Sequence, residues 1–348
     1  MADSIKWYEK AGADSDVVLS TRVRLARNLK DYPFPQRCSL QQRAEIEKKV
    51  RSALMSASSL MSSHFEYVPL ETLSRDTAIS LVERHIISPD FISDIRGKAV
   101  LLSKDESISI MINEEDHIRI QVIHEGLCLK ETFETADRLD SLLAEHLDFA
   151  YSPELGFLTQ CPTNLGTALR VSAMLHLPAL TELSVMPRMT ENLSKLGMII
   201  RGTYGEGSKV TGELYQLSNQ VTLGISEQSA LDNLEAIVRQ LMAEERERRT
   251  QLVKNIYLQD KIYRAAGILK SCKVITSNEF MELISYVRMG VSAQLLTGIS
   301  HAEINKLITG VQPATLAQQA NEKQADRDII RGNIVHKACE ELKECYYV

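Results

Sequence analysis

Apolar and polar residues alternate in part along residues 99–123, AVLLSKDESISIMINEEDHIRIQVI. This period of two, in a segment rich in Ile and Val, predicts β-strands, with a hairpin turn at Lys104-Asp105-Glu106. Further strands are predicted at 16–20, 157–160, 198–204 and 213–224. Apolar residues at helical spacing predict helices over 40–60, 71–87, 129–148 and 181–195. The mixture of strands and helices predicts an α/β protein of the α+β type, with an antiparallel sheet flanked by helices.

Residues 159–178, TQCPTNLGTALRVSAMLHLP, place a cysteine directly before residues that often begin helices. We predict a helix after Asn164, with Cys161 just outside its positive end and Arg170 roughly two turns inside it. A thiolate is favoured at such an end because the helix dipole stabilises negative charge there. Taken alone, the stretch also fits a buried structural cysteine at a strand–helix turn, since free cysteine is among the most buried residue types.

Beyond residue 226 the predicted strands stop, and apolar residues recur at helical spacing. Residues 244–249, EERERR, are a charge run that is typical of a solvated helix face. We therefore divide the chain into a mixed domain over 1–255 and an all-helical C-terminal domain over 256–348. The helical domain is expected to form a homodimer.

Composition narrows the functional classes. The chain has 348 residues, 44% hydrophobic and 25% charged, which is ordinary for a globular protein of two domains. Its net charge of −6 gives no support for direct nucleic-acid binding. No apolar run approaches the ~20 residues that span a bilayer, and the N-terminus lacks the apolar region of a secretory signal. Six cysteines without CxxC pairs indicate neither a zinc site nor a disulfide framework, so we expect a cytoplasmic protein.

Four clusters carry residues with possible chemistry, and each also has a structural explanation. Arg22-Val23-Arg24 fits a solvated surface pair, and residues 113–119, NEEDHIR, fit a charged hairpin turn. The third cluster is the Cys161–Arg170 stretch, and residues 201–207, RGTYGEG, fit a flexible hairpin. Together the clusters supply five cations to an acidic protein: Arg22, Arg24, Arg119, Arg170 and Arg201.

Guanidinium groups brought together repel one another unless an anion lies between them. A triphosphate suits them, because guanidinium and phosphate oxygens pair in a bidentate way. The chain contains neither a GxxxxGK[ST] loop nor the glycine-rich, HRD and DFG motifs of protein kinases. We therefore expect ATP to be bound by arginines, with Mg²⁺ held mainly by the nucleotide and no protein metal site.

A possible acceptor side is formed by Glu115, Glu206 and Cys161. Two carboxylates that flank a guanidinium can orient it and take its proton as it attacks phosphorus. A nearby thiolate adds negative charge. The implied reaction is phosphoryl transfer from ATP to a guanidino group.

These motifs, STRVR, NEEDHIR, CPTNLGTALR and RGTYGEG, resemble the phosphagen (guanidino) kinase family in their order and spacing over about residues 15–225. The resemblance assigns the five arginines to the ATP phosphates and places His117 near the nucleotide. It assigns Glu115 and Glu206 to the guanidinium and Cys161 to the acceptor's side. Tyr204 departs from a basic residue common in the family, and Ala168 is a milder departure.

Only 20 residues precede Thr21, where the metabolite kinases of this family carry a helical domain that closes over a free amino acid. Together with the helical C-terminal region, this resembles the bacterial branch that phosphorylates arginine side chains in proteins. The resemblance implies a zinc-binding activator protein, an AAA+ unfoldase–protease and a heat-shock repressor as partners in stress-response quality control. The alternatives are a kinase for free arginine or another small guanidino compound, and a phosphoarginine-binding adaptor with an inactive kinase domain.

Residues 326–332, DRDIIRG, resemble that branch's allosteric phosphoarginine motif, with Gly332 in place of alanine. Arg327 and Arg331, four apart on a helix, would share one face and clamp a phosphate, with Asp328 pairing with the guanidinium. An exposed helix with ordinary charge pairs is the structural alternative. Replacing alanine by glycine lowers helix propensity by about 1 kcal/mol.

Overall fold

An eight-stranded antiparallel sheet is the centre of the computed structural model, which describes residues 4–56, 64–202, 210–319 and 326–345. Its strands lie in the order β2-β3-β4-β5-β1-β8-β10-β9. They are β1 (Val18–Arg27), β2 (Phe65–Pro69), β3 (Ala99–Ser103), β4 (Ile108–Ile112), β5 (Ile118–Glu125), β8 (Leu169–His176), β9 (Met198–Gly202) and β10 (Leu214–Asn219). A separate two-stranded hairpin contains β6 (Tyr151–Ser152) and β7 (Gly156–Phe157).

Helices cover the sheet and build the C-terminal region. In the first part of the chain they are α1 (Leu40–Ser56), α2 (Arg75–Glu83), α3 (Leu129–Ala144), α4 (Pro178–Glu182), α5 (Met186–Lys195) and α6 (Glu227–Leu252). After these come α7 (Ile256–Ser271), α8 (Ser277–Ser292), α9 (His301–Gly310), α10 (Pro313–Gln319) and α11 (Arg327–Cys339). The short strands β11 (Leu296–Thr297) and β12 (Lys343–Glu344) pair within this C-terminal region. The α+β fold class predicted from the sequence is confirmed.

The prediction of a helix after Asn164 is wrong. Pro162–Asn164 form only a short 3-10 helix, and Leu169–His176 are a strand hydrogen-bonded to β1 on one side and β10 on the other. A central strand is buried on both faces, so its apolar run does not alternate and resembles a buried helix segment. Gly166 (φ +100°) and Ala168 (φ +50°) turn the chain sharply before the strand begins.

Two large hydrophobic clusters lie on either side of residue 255. One packs the sheet against α1, α3 and α6, and includes Val23, Ile120 and Leu234. The second packs α7 to α11 together and reaches the sheet side through Ala179 and Leu214. The division at 255/256 remains a prediction, and the two parts share an extensive boundary.

Polar contacts fasten that boundary. Glu83 at the end of α2 accepts hydrogen bonds from the backbone N–H groups of Ala314 and Thr315 at the start of α10, both at 2.8 Å. Buried Arg288 of α8 donates to the Ser15 carbonyl at 2.6 Å. The helical region is therefore joined to the sheet side at both α2 and the segment before β1.

Candidate active site

Sheet pairing brings the five predicted arginines together in one cleft of about 470 Å³. Arg24 of β1 pairs in register with Arg170 of β8, and Ala26 on the same strand pairs with Arg119 of β5. Arg201 reaches the cleft from β9. Glu115 and Cys161 line the same cleft. Residues separated by more than a hundred positions in the chain thus meet on one face of the sheet.

The cleft has the electrostatics of an anion site. Burial, together with the like charges of Arg119 and Arg170, lowers the pKa of Arg22 to about 10. Burial, followed by the same neighbours and Arg22, also holds the pKa of Arg24 well below its usual value. The Arg24 Nε is buried without a hydrogen-bond partner among the described residues. An anion such as a polyphosphate would relieve both the repulsion and the missing hydrogen bond.

The turn between β4 and β5 presents two carboxylates with different surroundings. Glu114 is almost fully buried, pairs with Arg119 at 2.7 Å and accepts a hydrogen bond from the Ser88 hydroxyl. Glu115 is 36% exposed and lies 3.6 Å from Arg119. Burial raises the pKa of Glu115, although the charge of Arg119 opposes the shift. A partly exposed carboxylate with a raised pKa is suited to accept a proton.

Three further residues hold the arginines of the cleft in position: Gln216, Ser172 and Glu114. Gln216 of β10 accepts a hydrogen bond from Arg22 Nη2 at 2.7 Å, and Ser172 of β8 lies 3.4 Å from Arg22 Nε. Glu114 holds the Arg119 guanidinium in the same way, through the ion pair at 2.7 Å. The positions of Gln216 and Ser172 beside Arg22 follow only from the register of the paired strands. Glu114, in contrast, lies within the NEEDHIR motif.

Cys161 lies at the edge of the cleft, half-buried, with its Sγ 3.0 Å from the Thr163 hydroxyl. Because a strand and not a long helix follows, the predicted helix dipole does not act on this thiol. Asp116 fixes the segment in place: its carboxylate accepts hydrogen bonds from the Gln160 N–H at 2.8 Å and from the Asn28 amide at 2.6 Å. The placement of the segment that carries Cys161 therefore depends on the β4–β5 turn.

His117 does not line the cleft. It is fully buried, Nδ1 accepts a hydrogen bond from the Leu29 N–H at 3.0 Å, and Nε2 lies 2.8 Å from the Pro33 carbonyl. Burial lowers the pKa of its imidazole to about 4. In this structure the ring holds the loop after β1 instead of facing the cleft where a nucleotide would lie. Glu206, the second predicted carboxylate, and Tyr204 fall outside the described residues.

The predicted clamp at the start of α11 is not formed. Arg331 is 1% exposed and donates to the carbonyls of Val311 and Ile275, both at 2.9 Å, and to Asp328. Arg327 lies exposed on the helix surface. The two arginines are four apart, but the helix packs Arg331 inward, so its donors serve the fold. Binding of a phosphate here would rest on Arg327.

Gly332 is required by the packing of α11. A Cβ at this position would lie 2.5 Å from the Lys273 carbonyl oxygen and 3.0 Å from the Val274 nitrogen. The helix therefore approaches the segment between α7 and α8 more closely than alanine permits. Gly332 lowers the helix propensity of α11, but it permits the close packing of this helix against the backbone of Lys273 and Val274.

Neither a metal-binding cluster nor a membrane-spanning helix is present in the parts of the chain that the structure describes. There, no group of three or more His, Cys, Asp or Glu side chains is placed to hold a metal ion. None of the helices in those parts is long and apolar enough to cross a membrane.

Two family models together match most of the chain. Residues 45–248 match the ATP:guanido phosphotransferase C-terminal catalytic domain. Residues 255–346 match the protein-arginine kinase McsB C-terminal domain.

Relatives at the level of the whole chain agree with these models. A protein-arginine kinase from Desulforamulus reducens is 43% identical over 347 residues, covering 97% of this chain and 96% of the relative. One from Clostridium acetobutylicum is 42% identical over 324 residues, covering 92% and 95%. Among solved structures, lombricine kinase is 26% identical with a TM-score of 0.60, covering 69% of this chain and 70% of that chain. A taurocyamine kinase from Schistosoma mansoni is 30% identical with a TM-score of 0.59, covering 73% and 39%.

The likeness to lombricine and taurocyamine kinases covers about seven-tenths of this chain, whereas the likeness to the bacterial relatives covers nearly all of it. The chain belongs to the ATP:guanido phosphotransferase family and, within it, to the protein-arginine kinases.

Proposed function

We propose that this protein transfers the γ-phosphate of ATP to the guanidino group of arginine side chains in proteins. The observation that carries the proposal is the convergence of five arginines, Glu115 and Cys161 on one cleft. Whole-length similarity to protein-arginine kinases supports a protein acceptor. The helical C-terminal match supports it over a kinase for a free guanidino compound.

Each side of the cleft has a part in the reaction. Arg22, Arg24, Arg119, Arg170 and Arg201 bind the phosphates and stabilise the charge of the transferring phosphoryl group. The acceptor guanidino nitrogen attacks the γ-phosphorus; the new N–P bond forms as the bond to the β–γ bridging oxygen breaks, and ADP leaves.

Proton removal makes the acceptor nucleophilic. Glu115 accepts the proton of the attacking nitrogen, with Glu206 as the second carboxylate assigned by the family resemblance, and Cys161 borders the acceptor. Mg²⁺ would be held mainly by the ATP phosphates, where it would neutralise part of their charge. The cationic lining is suited to the remaining phosphate oxygens.

The proposed partners follow from the same family resemblance: the zinc-binding activator, the AAA+ unfoldase–protease and the heat-shock repressor, in the cytoplasm. A homodimer through the helical region is supported by exposed apolar side chains there. Val274 is 57% exposed and Ile329 is 44% exposed. They lie on neighbouring segments, which are joined by a hydrogen bond from the Ile275 N–H to the Asp328 carbonyl.

The proposed activity is tested by incubating casein with Mg-ATP and this protein, and measuring phosphoarginine by mass spectrometry. The parent should modify casein arginines faster than free L-arginine. Glu115→Gln removes the proton acceptor and should lower kcat by about 10²-fold or more, the usual share of a general base. Rate should rise with pH in the parent as Glu115 loses its proton, and this limb should be absent from the variant.

Glu235→Gln, on the exposed surface of α6, is the matched control and should keep parental activity. Faster phosphorylation of free arginine than of casein would favour the small-molecule kinase. Phosphoarginine yields no higher than those of Glu115→Gln would favour the adaptor.

A further inference from the structure

A second cavity, of about 150 Å³, lies where the sheet meets the C-terminal helices. We call it the seam cavity. Its walls are mostly apolar: Trp7, Leu19, Met174 and Leu214 face Met281 of α8 and Ile308 of α9. An apolar cavity of about this volume stays dry and accommodates a molecule the size of benzene. The seam cavity therefore has room for one small ring.

One polar group in the wall lacks a partner. Trp7 is only 7% exposed, and its indole Nε1 has no hydrogen-bond acceptor among the described residues. Its backbone is held firmly, since the Trp7 N–H donates to the Asp105 carbonyl at 3.1 Å. Buried indole N–H groups usually find an acceptor, so the missing one is a feature that a ligand would supply.

Two other polar groups of the wall, the amide of Asn305 and the carboxylate of Glu83, are used by the fold. Asn305 accepts from Arg288 at 2.7 Å and donates to the Lys10 carbonyl at 3.2 Å. Glu83 is occupied by the start of α10. The Glu83 carboxylate, already bonded to α10, is not available to pair with a charged guest, and an uncharged molecule fits the cavity better.

The seam cavity and the arginine cleft are two ends of one sheet face. Strands β1, β8 and β10 each contribute alternate residues to that face, in three successive groups that run from one site to the other. The groups are Ser20, Met174 and Leu214 at the seam cavity; Arg22, Ser172 and Gln216, which we call the middle row; and Arg24, Arg170 and Ser218 at the cleft. Within the middle row Ser172 is the register partner of Arg22, whereas Gln216 is the register partner of Met174. The middle row is hydrogen-bonded across the strands through Arg22.

Arg22 therefore separates an apolar chamber from the proposed phosphate site. Its guanidinium is held on the cleft side by Gln216 and Ser172, whose neighbours two positions along their strands, Leu214 and Met174, line the seam cavity. A molecule that fills the chamber packs against the residues that position Arg22.

We propose that the seam cavity is a binding site for a small uncharged ring compound of about six to eight non-hydrogen atoms with one hydrogen-bond acceptor for Trp7. Its occupation changes the affinity for ATP through the row formed by Arg22, Ser172 and Gln216. By linkage, ATP changes the affinity for the ring compound by the same factor.

Trp7 is the single tryptophan of the chain, so its fluorescence reports on the cavity directly. The probes are cyclohexanone, which carries an acceptor, and benzene, which does not. We expect a saturable change in Trp7 emission with cyclohexanone, with a Kd of about 1 mM or below. Benzene should bind at least roughly threefold more weakly, because it leaves the indole N–H without a hydrogen bond.

Filling the cavity supplies the control. Ile308→Phe should abolish the saturable signal, and Thr309→Leu, which adds volume at another wall position, serves if the first variant does not fold. Ile268→Phe makes the same substitution at a position 42% exposed on α7 and should retain binding. A signal that never saturates, or an equal Kd in parent and filled variant, would overturn the site.

Coupling is measured as the Kd for ATP with and without saturating cyclohexanone. A change of roughly threefold or more is expected in the parent and in Ile268→Phe, and none in the filled variant. Binding of cyclohexanone without a change in ATP affinity would disprove the link through Arg22. Since neither readout requires phosphoryl transfer, failure of this proposal and failure of the proposed activity give different results.

Discussion

Arg331 is buried and Arg24 is half-buried at the cleft, and the surroundings of the two guanidinium groups are opposite. Arg331 has two backbone carbonyls and Asp328 within hydrogen-bond reach. Arg24 lies among other guanidinium groups, and its Nε is without a partner in the described part of the chain. Burying a charge is costly unless partners compensate it. A satisfied buried arginine therefore contributes to the fold, whereas an unsatisfied cluster of them indicates a ligand.

Arg27 supports the same distinction. It is 1% exposed, pairs with Asp140 at 2.7 Å, and stacks 3.5 Å from the centre of the Phe157 ring. It lies only three residues beyond Arg24, but on the other face of β1. Alternation along a single strand thus separates a structural arginine from the cluster proposed to bind phosphate.

The largest effect is expected for Arg24→Met. Loss of one guanidinium from the phosphate site should lower kcat by about 10²- to 10³-fold, the usual effect of removing one donor that stabilises transition-state charge. The melting temperature should stay level or rise, because repulsion from Arg22, Arg119 and Arg170 is relieved. Arg96→Met, at a side chain 69% exposed, is the control for both measurements. A melting temperature that falls while kcat is unchanged would refute the distinction.

For Arg331→Met we expect a loss of stability instead of a loss of kcat. Two buried carbonyls lose their donor, and the free energy of unfolding should fall by about 3 kcal/mol. Arg327→Met, four residues earlier on the exposed surface, should change it by less than about 0.5 kcal/mol. Thermal or urea unfolding of the two variants provides the measurement. Equal destabilisation would mean that Arg331 is not the anchor of α11.

Gly332→Ala tests the packing of α11 with a smaller expected change in stability. The added Cβ meets the Lys273 carbonyl, and overpacking of this kind costs about 1–3 kcal/mol, partly offset by about 1 kcal/mol of helix propensity. Gly267→Ala is matched to it, because that helical position has open space around its Cβ and should gain about 0.5–1 kcal/mol. Should both variants be stabilised, the close packing of α11 would be disproved.

The motifs in the sequence name, in chain order, seven residues that line one cleft: Arg22, Arg24, Glu115, Arg119, Cys161, Arg170 and Arg201. The motifs did not predict the secondary structure after Asn164, or which arginine of α11 is buried, because both depend on the neighbours that cover each side of a strand or helix. The apolar run after Asn164 was compatible with a helix until its pairing with β1 and β10 was known. Likewise, a spacing of four places Arg327 and Arg331 on similar sides of a helix but does not tell which of them the neighbouring segments cover.

Hydrogen-bond partners that come from distant strands could not be predicted from the sequence either. Nothing near Gln216 or Ser172 points to Arg22, because they meet only through the register of β1 and β8 and of β8 and β10. The seam cavity is a stronger case, since its walls come from the N-terminal segment, the sheet and two C-terminal helices. Such a site exists only once the two parts of the chain are docked.

The register that assembles the cleft also has a consequence for folding. Arg24 reaches Arg170 only after β1 has paired with a strand about 150 residues away, and such non-local pairing is slow because loop closure must come first. Before the strands pair, Arg119, Arg170 and Arg201 lie far along the chain from Arg22 and Arg24, so repulsion among all five arises only as the sheet assembles. Binding of ATP should thus appear late in refolding, and a nucleotide present at that stage would draw the last strands together.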